Sequence, residues 1–278
     1  MIVNKEIDRI ISFALKEDMP NGDITSESII SPDSMSKAIL LAKQEGILAG
    51  IEVARRVFFK VDKSITFEKI LDDGAKIKRG DRLATIEGRS ISLLKGERTA
   101  LNFLQRMSGI ATKTNMFVRA LEGTKTKVLD TRKTTPGIRI LEKYSVKVGG
   151  GENHRLNLSD MVLIKDNHLQ IIGSITEAIQ RARKYIKTAV KIEVETTNLE
   201  EVKEAVIAGA DLIMLDNMDI ESIKKVVAWV GGRVPLEVSG NVDLNNAHDL
   251  GEVGVDYISV GGLTHSVNAL DISMEFIG

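Results

Sequence analysis

A group of cationic and hydroxyl side chains follows a short apolar run near the middle of the chain. Residues 130–137 read DTRKTTPG, directly after the run KVL. An arginine beside a lysine at the end of a strand, followed by threonines and a Pro-Gly turn, is typical of a site for an anion. The guanidinium of Arg132 can hold a carboxylate or phosphate through two hydrogen bonds, whereas Lys133 supplies a point charge.

Other polar residues in the second half of the chain also follow apolar runs, and we interpret seven such runs as parallel strands. The polar or glycine residues at their ends are, in chain order, Asp130, Arg132 and Lys133; His154 and Arg155; Lys165, Asp166, Asn167 and His168; Glu193 and Glu195; Asp216 and Asn217; Ser239, Gly240 and Asn241; and Gly261, Gly262 and His265. Active sites of parallel α/β folds lie at the carboxyl ends of the strands. A charge at the end of a buried strand is costly unless it is paired or faces a ligand, so the pattern predicts a functional ring.

The cations and acids of this ring indicate different ligands. Arg132, Lys133, His154, Arg155 and Lys165 together predict a ligand with several negative charges. Glu195 and Asp216 follow neighbouring strands, and two carboxylates without cysteine or histidine suit Mg²⁺ or the hydroxyls of a sugar. The alternative is an internal ion pair between these acids and Lys165 or Lys133.

Two glycine turns close the last two strands. Residues 239–241 read SGN and residues 260–262 read VGG, and each turn precedes a predicted helix. In α/β barrels this position commonly forms a phosphate site from backbone N–H groups and a helix N-terminus. The alternative is that these glycines serve only tight turns.

The elements that would position these residues alternate regularly after about residue 125. The predicted strands are KVLDTR, VKVGGG, MVLIKD, KIEVE, LIMLDN, LEVSG and YISVGG, separated by amphipathic stretches such as SITEAIQRARKYI and NLEEVKEAVIAGA. Repeated β–α units with continuous apolar strands predict a parallel sheet covered by helices. We expect an incomplete α/β barrel of the TIM type with about seven strands over residues 110–265; an open doubly wound sheet is the alternative.

The first half follows a less regular pattern, which predicts an α+β sandwich domain over residues 1–109, completed by residues 266–278. Its predicted elements are an N-terminal amphipathic helix, two short strands around Glu45-Gly46, the helix IEVARRVFFKV, several β segments, and a long helix with a possible break at Ser108-Gly109. The segment DDGAKIKRGDRLATIEG resembles the small domains that carry biotin or lipoate. However, Lys76, Lys78 and Lys95 lack the flanking residues of a modified lysine, which favours a scaffold.

Composition excludes several classes of protein. The 278 residues are 43% hydrophobic and 28% charged, with a net charge of −1, so no overall attraction to nucleic acid or an acidic membrane is expected. The absence of cysteine excludes disulfides, thiol catalysis and cysteine-bound metals. With no signal peptide or long apolar run recognisable, we expect a cytoplasmic protein.

The motifs, taken together and in order, resemble the quinolinate phosphoribosyltransferase family, also called the carboxylating nicotinate-nucleotide pyrophosphorylases. They run nearly end to end: EDMPNGDITSE, ILAGIEVA, GERTALNFLQRMSGIAT, DTRKTTPGIR, KVGGGENHR, LIKDNH, IEVE, MLDN, LEVSGN and SVGGLTHS. The order and spacing of DTRKTTPG and GGGENHR make the resemblance specific. A minor departure is Gly262, where relatives often have a small residue such as alanine.

The resemblance implies a reaction of quinolinate with phosphoribosyl pyrophosphate that yields nicotinate mononucleotide, pyrophosphate and CO₂ for NAD biosynthesis. It implies that the quinolinate site is formed by Thr131, Arg132, His154, Arg155 and Lys165, joined by Arg98 from the partner subunit of a homodimer with shared active sites. Assembly into a larger homo-oligomer is left open. The resemblance further implies a phosphoribosyl pyrophosphate site formed by Lys133, Glu195, Asp216, Ser239, Gly240, Asn241, Val260, Gly261, Gly262 and His265, with Mg²⁺ held by Glu195 and Asp216.

Three other functions remain open from the residues alone. A nicotinate phosphoribosyltransferase would need no site for a second carboxylate, and the surplus of cations disfavours it. A Schiff-base aldolase would use Lys165 at its strand end. A phosphosugar sensor would bind the same ligand without turnover.

Overall fold

The computed structural model describes residues 5–186 and 189–277, and the chain divides into two compact units. The first contains the residues up to Asn115, Thr134–Gly150 and the residues from Thr264 onward; the second contains Met116–Lys133 and Gly151–Leu263. The ends of the predicted N-terminal domain, residues 1–4 and 278, lie outside the described residues. No helix among the described residues is long and apolar enough to cross a membrane.

The first unit is built on an antiparallel sheet of four strands. Its elements include α1 (Lys5–Asp18), α2 (Ile24–Ile29), β1 (Met35–Ala42), β2 (Gly46–Ile47), α3 (Ile51–Val61), β3 (Thr66–Lys69), β4 (Lys76–Ile77) and β5 (Arg82–Arg89). The strand order is β12-β1-β5-β3, where β12 (Ile272–Ile277) comes from the C-terminal end of the chain and pairs with β1 over Lys37–Ala42. Ala38, Leu40, Ile86 and Phe58 are fully buried in this core.

The long helix α4 (Ser90–Ala120) is continuous through Ser108 and Gly109, so the predicted possible break is not observed. The hydroxyl of Ser108 faces inward, where it accepts from the amide of Ala49 at 3.0 Å. A Cβ atom on Gly109 would lie 2.2 Å from the carbonyl oxygen of Asn268. Gly109 therefore allows close packing of another segment against the helix rather than interrupting it.

The second unit is a parallel sheet of six strands. Its strands are β6 (Lys127–Leu129), β7 (Val162–Ile164), β8 (Ile192–Thr196), β9 (Leu212–Asp216), β10 (Leu236–Ser239) and β11 (Tyr257–Ser259). Its helices are α6 (Asp166–Ile172), α7 (Ile175–Tyr185), α8 (Leu199–Ala208), α9 (Ile220–Val230) and α10 (Ala247–Glu252), with α11 (Gly262–His265) at the boundary of the unit. The spatial order is β6-β11-β10-β9-β8-β7. Because β6, the first strand of this sheet in chain order, pairs with β11, its last, the arrangement is an incomplete barrel rather than an open doubly wound sheet.

The prediction of a strand at VKVGGG, the second of the seven, is wrong. Val146 and Val148 belong to helix α5 (Arg139–Val148), where Leu141 and Val146 are buried. The segment after the helix lies beside β6, where the second strand was expected, because Glu152 forms an isolated parallel bridge with Leu129. The described strands β6 and β7 do not pair with each other, so this short segment lies where the barrel is incomplete.

Candidate active site

The strand register places the predicted ligands on one face of the parallel sheet. Ser239 pairs with Asp216, and Glu195 pairs with Met214, two residues before Asp216. Side chains two residues apart on a strand share a face, so Glu195, Asp216 and Ser239 face the same side at the carboxyl ends of their strands. Lys165 follows β7 directly, two residues after Leu163, which pairs with Glu193. It thus joins the same row.

The segment that carries His154 and Arg155 is anchored to the end of β6. The amide of Asp130 donates to the carbonyl of Glu152 at 3.2 Å, and the amide of Glu152 donates to Val128 at 2.7 Å. The buried carboxylate of Asp130 accepts from the amide of His154 at 2.9 Å. Asp130 therefore holds the loop backbone, and it is Arg132 and Lys133 that extend past the strand.

Arg155 is partly buried and incompletely paired. Its Nη1 donates to the carbonyl of Met161 at 3.0 Å, but its buried Nε has no hydrogen-bond partner among the described residues. Burial lowers the pKa of Arg155, and the neighbouring charge of Arg132 lowers it further. Two adjacent guanidinium groups and an unpartnered buried N–H fit an anionic ligand, which would relieve both costs.

Lys165 and Glu195 form an ion pair, as the alternative interpretation of the acids allows. Lys165 Nζ lies 2.7 Å from Glu195 Oε2, and the side chain of Glu195 is only 11% exposed. The lysine is more exposed, at 43%, and its amide donates to Nδ1 of His168 at 3.0 Å. The pair is compatible with a ligand site. An incoming anion can take the place of Glu195 beside Lys165, and an incoming cation can take the place of Lys165 beside Glu195.

Asp216 ends β9 and is hydrogen-bonded by the next residue. Nδ2 of Asn217 donates to Asp216 Oδ2 at 2.8 Å. Two carboxylates on adjacent strands, Glu195 and Asp216, supply oxygen ligands without nitrogen or sulfur ligands. This donor set fits Mg²⁺.

The two glycine turns differ in how they continue. Gly240 and Asn241 adopt left-handed backbone conformations, with φ of 88° and 52°, and α10 begins only at Ala247. Residues 260–262 lead directly into the single turn α11. A phosphate at either turn would thus be bound mainly by loop N–H groups, with less contribution from a helix dipole than the sequence suggested.

Beneath this ring lies a buried cluster of His154, Glu193 and Glu237. Nε2 of His154 lies 2.8 Å from Glu193 Oε2 and 3.7 Å from Glu237 Oε2. Both glutamates are fully buried, and neither carboxylate oxygen of Glu237 has a hydrogen-bond partner among the described residues. Burial raises the pKa of Glu237 to about 8, helped by the charge of Glu193, and burial raises the pKa of Glu193 to about 7.

The hydrogen bonds of His154 argue against a metal ion in this cluster, although its donor atoms lie within 4.8 Å of one another. Nδ1 accepts from the amide of Arg155 at 2.8 Å, so the proton of a neutral ring lies on Nε2, where it is donated to Glu193. A metal at Nε2 would need that proton removed. The cluster is better described as a buried group of carboxyls that retains a proton.

The second unit brings together most of the predicted site residues. Those it contains are Thr131, Arg132, Lys133, His154, Arg155, Lys165, Glu195, Asp216, Ser239, Gly240, Asn241, Val260, Gly261 and Gly262, whereas Arg98 and His265 belong to the first unit. The hydroxyl of Thr131 accepts a hydrogen bond from the amide of Lys133 at 3.0 Å. Nδ1 of His265 lies 2.6 Å from the hydroxyl of Ser266. Arg98 is exposed on α4.

Sequence reasoning missed Glu237 and gave Glu193 and Asn217 no role, although both were placed in the ring of strand ends. The alternation Glu-Val-Glu in β8 and Glu-Val-Ser in β10 was the available signal, since residues two apart share a face. Nothing in the spacing indicated that the earlier glutamate of each strand is fully buried.

Comparison with known proteins shows the family. The model of the quinolinate phosphoribosyl transferase C-terminal domain matches residues 110–275, and that of the N-terminal domain matches residues 23–108. A probable nicotinate-nucleotide pyrophosphorylase [carboxylating] of Bacillus subtilis (strain 168) is 42% identical, covering 97% of this chain and 93% of the relative. The mitochondrial quinolinate phosphoribosyltransferase [decarboxylating] 2b of Nicotiana tabacum is 41% identical over 97% of this chain and 82% of the relative. The crystal structure of NadC from Streptococcus pyogenes has a TM-score of 0.94 at 43% identity, covering 98% of each chain.

Proposed function

The chain belongs to the quinolinate phosphoribosyltransferase family, and we propose that its second unit carries the quinolinate and phosphoribosyl pyrophosphate sites of that reaction. The chain is a pentosyltransferase that forms nicotinate mononucleotide, pyrophosphate and CO₂ for NAD biosynthesis. The names of the relatives favour this reaction over an aldolase or a nicotinate phosphoribosyltransferase without decarboxylation.

The proposed site for quinolinate, the acceptor of the phosphoribosyl group, rests on the environment of Arg155. Its buried Nε lacks a partner among the described residues, and Arg132 lies near enough to lower its pKa. Nicotinate has a single carboxylate, whereas quinolinate has two adjacent ones that can engage two cations. Arg132, Arg155 and Lys165 would orient this dianion, with Thr131 at the end of β6, and Arg98 would come from a partner subunit.

His154 acts in this proposal by holding the loop in place. Both of its ring nitrogens are engaged, one with the amide of Arg155 and one with Glu193. It therefore fixes the backbone from which Arg155 extends, beside the proposed quinolinate site.

The site for phosphoribosyl pyrophosphate, the donor of the phosphoribosyl group, would be formed by the other residues of the ring. Lys133, Glu195 and Asp216 would bind the pyrophosphate and ribose, while residues 239–241 and 260–262, with His265, would hold the 5′-phosphate. Mg²⁺ bound by Glu195 and Asp216 would neutralise negative charge on the pyrophosphate leaving group. Lys165, released from Glu195, would then be free to face quinolinate.

The chemistry follows from charge. The pyridine nitrogen attacks the anomeric carbon as pyrophosphate departs, and Lys133 stabilises the departing charge. The ring becomes a pyridinium cation, which accepts the electron pair left when the 2-carboxylate leaves as CO₂. The cationic side chains orient the dianion for this sequence of steps, and water or Lys165 supplies the proton that C2 then requires.

Equilibrium binding tests the acceptor site. Titration calorimetry of the wild-type protein should give a Kd for quinolinate at least about tenfold lower than for nicotinate, because a second carboxylate adds a charge-assisted contact. Arg155→Ala should remove most of that preference. The exposed Arg181, paired with Glu177 on α7, provides the control Arg181→Ala. Equal affinity for the two acids, or an unchanged preference in Arg155→Ala, would contradict the assignment.

A homodimer and a cytoplasmic location complete the proposal. The dimer is supported by the family resemblance, which implies that Arg98, exposed on α4, joins the quinolinate site of a partner subunit. The absence of cysteine is compatible with a reducing compartment.

A further inference from the structure

Asn217 and Asn241 are the residues other than glycine with positive φ in the described chain, at 53° and 52°. They follow the neighbouring strands β9 and β10, whose last residues, Asp216 and Ser239, are register partners. Left-handed backbone costs an L side chain of this kind on the order of 1 kcal/mol, and it persists where surrounding contacts require it. Two such residues at adjacent strand ends therefore indicate a constrained geometry.

The hydrogen bonds of Asn217 fix the orientation of its amide. The carboxylate of Asp216 can only accept, so Nδ2 of Asn217 must face it, at 2.8 Å. Oδ1 of Asn217 consequently faces the other way and accepts from Nδ2 of Asn241 at 3.2 Å. One side chain thus contacts both the acid at the end of β9 and the turn after β10.

The backbone of Asn217 joins the same two strand ends. Its amide donates to the carbonyl of Ser239 at 2.9 Å. The carbonyl of Asn241 accepts from Nδ2 of Asn246 at 2.8 Å, just before α10. The turn is therefore held by Asn217 on one side and by Asn246 on the other.

Gly240 completes the arrangement because it leaves space for the amide. A Cβ atom there would lie 2.1 Å from Oδ1 of Asn217, far inside van der Waals contact. Gly240 also has a φ of 88°, which glycine adopts at no steric cost. The glycine is thus required by the side chain of Asn217 as well as by the turn.

We propose that Asn217 is a positioning residue that sets the Asp216 carboxylate and the 239–241 turn at a fixed spacing for the two ends of phosphoribosyl pyrophosphate. The inference rests on the proposed donor site and assigns it a residue outside the predicted ligand set. Asp216 would engage the ribose and pyrophosphate end, and the turn would hold the 5′-phosphate. Loss of the link leaves both groups present but free to separate, which weakens donor binding and spares acceptor binding.

Asn217→Gly is the direct test because glycine keeps the left-handed backbone and removes both side-chain hydrogen bonds. Calorimetry with phosphoribosyl pyrophosphate and Mg²⁺ should show a Kd about tenfold higher than wild type, with the quinolinate Kd within about twofold. Asn245→Ala is the matched control, since Asn245 lies beyond the same turn and bonds only with Asp243 among the described residues. An unchanged donor Kd, or equal loss for donor and acceptor with a lowered Tm, overturns the inference.

A double-variant cycle separates positioning from general damage. Gly240→Ala should weaken donor binding strongly in the wild-type background, where Cβ meets Asn217 Oδ1. It should weaken binding less in the Asn217→Gly background, where that atom is gone. Additive losses overturn the inference. Wild-type protein that binds no phosphoribosyl pyrophosphate overturns the proposed function as well, whereas binding that Asn217→Gly leaves unaltered overturns this inference alone.

Discussion

At the scale of residues, four strands of the parallel sheet each carry two side chains on the site face, two residues apart; we call the four nearer the strand ends the upper layer and the four that precede them the lower layer. The layer nearer the strand ends contains Lys165, Glu195, Asp216 and Ser239, which we assign to ligands. The layer beneath contains Leu163 and Met214 together with the buried glutamates Glu193 and Glu237. The upper layer can exchange partners with substrates, whereas the lower layer must satisfy its charges within the protein.

Substitution of Asp216 tests the proposed Mg²⁺ site. Asp216→Asn keeps the size of the side chain but removes the negative charge that would attract the metal. We expect the Mg²⁺ concentration for half-maximal activity to rise at least about fivefold, with the quinolinate KM little changed. Glu221→Gln, an exposed acid paired with Lys224 on α9, serves as control. A Mg²⁺ titration identical to wild type would exclude Asp216 as a ligand.

Burial of Glu237 predicts how stability depends on pH. Its pKa is raised from 4.5 to about 8, so the folded protein holds a proton that the unfolded chain releases. The stabilising effect of that proton is complete below pH 4.5 and is lost as the pH rises through about 8. The wild-type Tm should therefore fall between pH 6 and pH 9, and that of Glu237→Gln, which has no proton to lose, should fall less.

The exposed Glu122 provides the control for this experiment, since Glu122→Gln should retain the wild-type dependence on pH. Differential scanning calorimetry at several pH values measures all three proteins. Parallel curves for wild type and Glu237→Gln would show that Glu237 does not retain the proton.

At the scale of elements, close approach of backbones explains where glycine is needed. Gly109 lies in the middle of α4, where its missing Cβ admits the carbonyl of Asn268. Gly109→Ala should raise helix propensity but force this contact apart, at a cost of about 1–3 kcal/mol. We expect Tm to fall by several degrees, as followed by circular dichroism.

The control for this prediction is Asn102→Ala, at an exposed position of the same helix. It should leave Tm equal or slightly higher, because alanine favours helix and meets no crowded neighbour. A Gly109→Ala protein as stable as Asn102→Ala would mean that the segment around Asn268 does not require the space.

The elements also show the limits of sequence reasoning. Strands β7 to β11 were predictable because each is a short apolar run followed by a turn, and helix α7 was evident from its 3.6-residue period. Residues 146–151 were misassigned because the alternation in VKVGGG suggests a strand. Val146 instead continues the buried stripe of α5 that begins at Leu141, so tertiary packing decided the outcome.

At the scale of the whole molecule, the ring of strand ends was predictable and the buried layer was not. Parallel strands bring their carboxyl ends together in any barrel, so the positions of Lys165, Glu195, Asp216 and Ser239 followed from topology alone. The ion pair of Lys165 with Glu195, the tautomer of His154 and the amide of Asn217 depend on side-chain geometry, which spacing along a sequence does not contain.

Subunit mixing tests the proposed sharing of active sites. Arg98→Ala and Arg155→Ala should each be nearly inactive alone. If Arg98 acts in the site of its partner, mixed dimers contain one intact site, and an equal mixture after reversible dissociation should regain about a quarter of wild-type activity. Failure to regain activity, with mixed dimers demonstrated by mass spectrometry, would show that Arg98 does not act across the dimer.

The most direct measurement for the central claim is product formation with two acceptors. Purified protein is incubated with Mg²⁺ and phosphoribosyl pyrophosphate, together with either carboxyl-labelled quinolinate or nicotinate, and labelled CO₂ and mononucleotide are followed. We predict nicotinate mononucleotide and an equal amount of CO₂ from quinolinate, and no product from nicotinate. Product from nicotinate alone would contradict the decarboxylating reaction while retaining the donor site, and no product from either acid would contradict the assigned activity altogether.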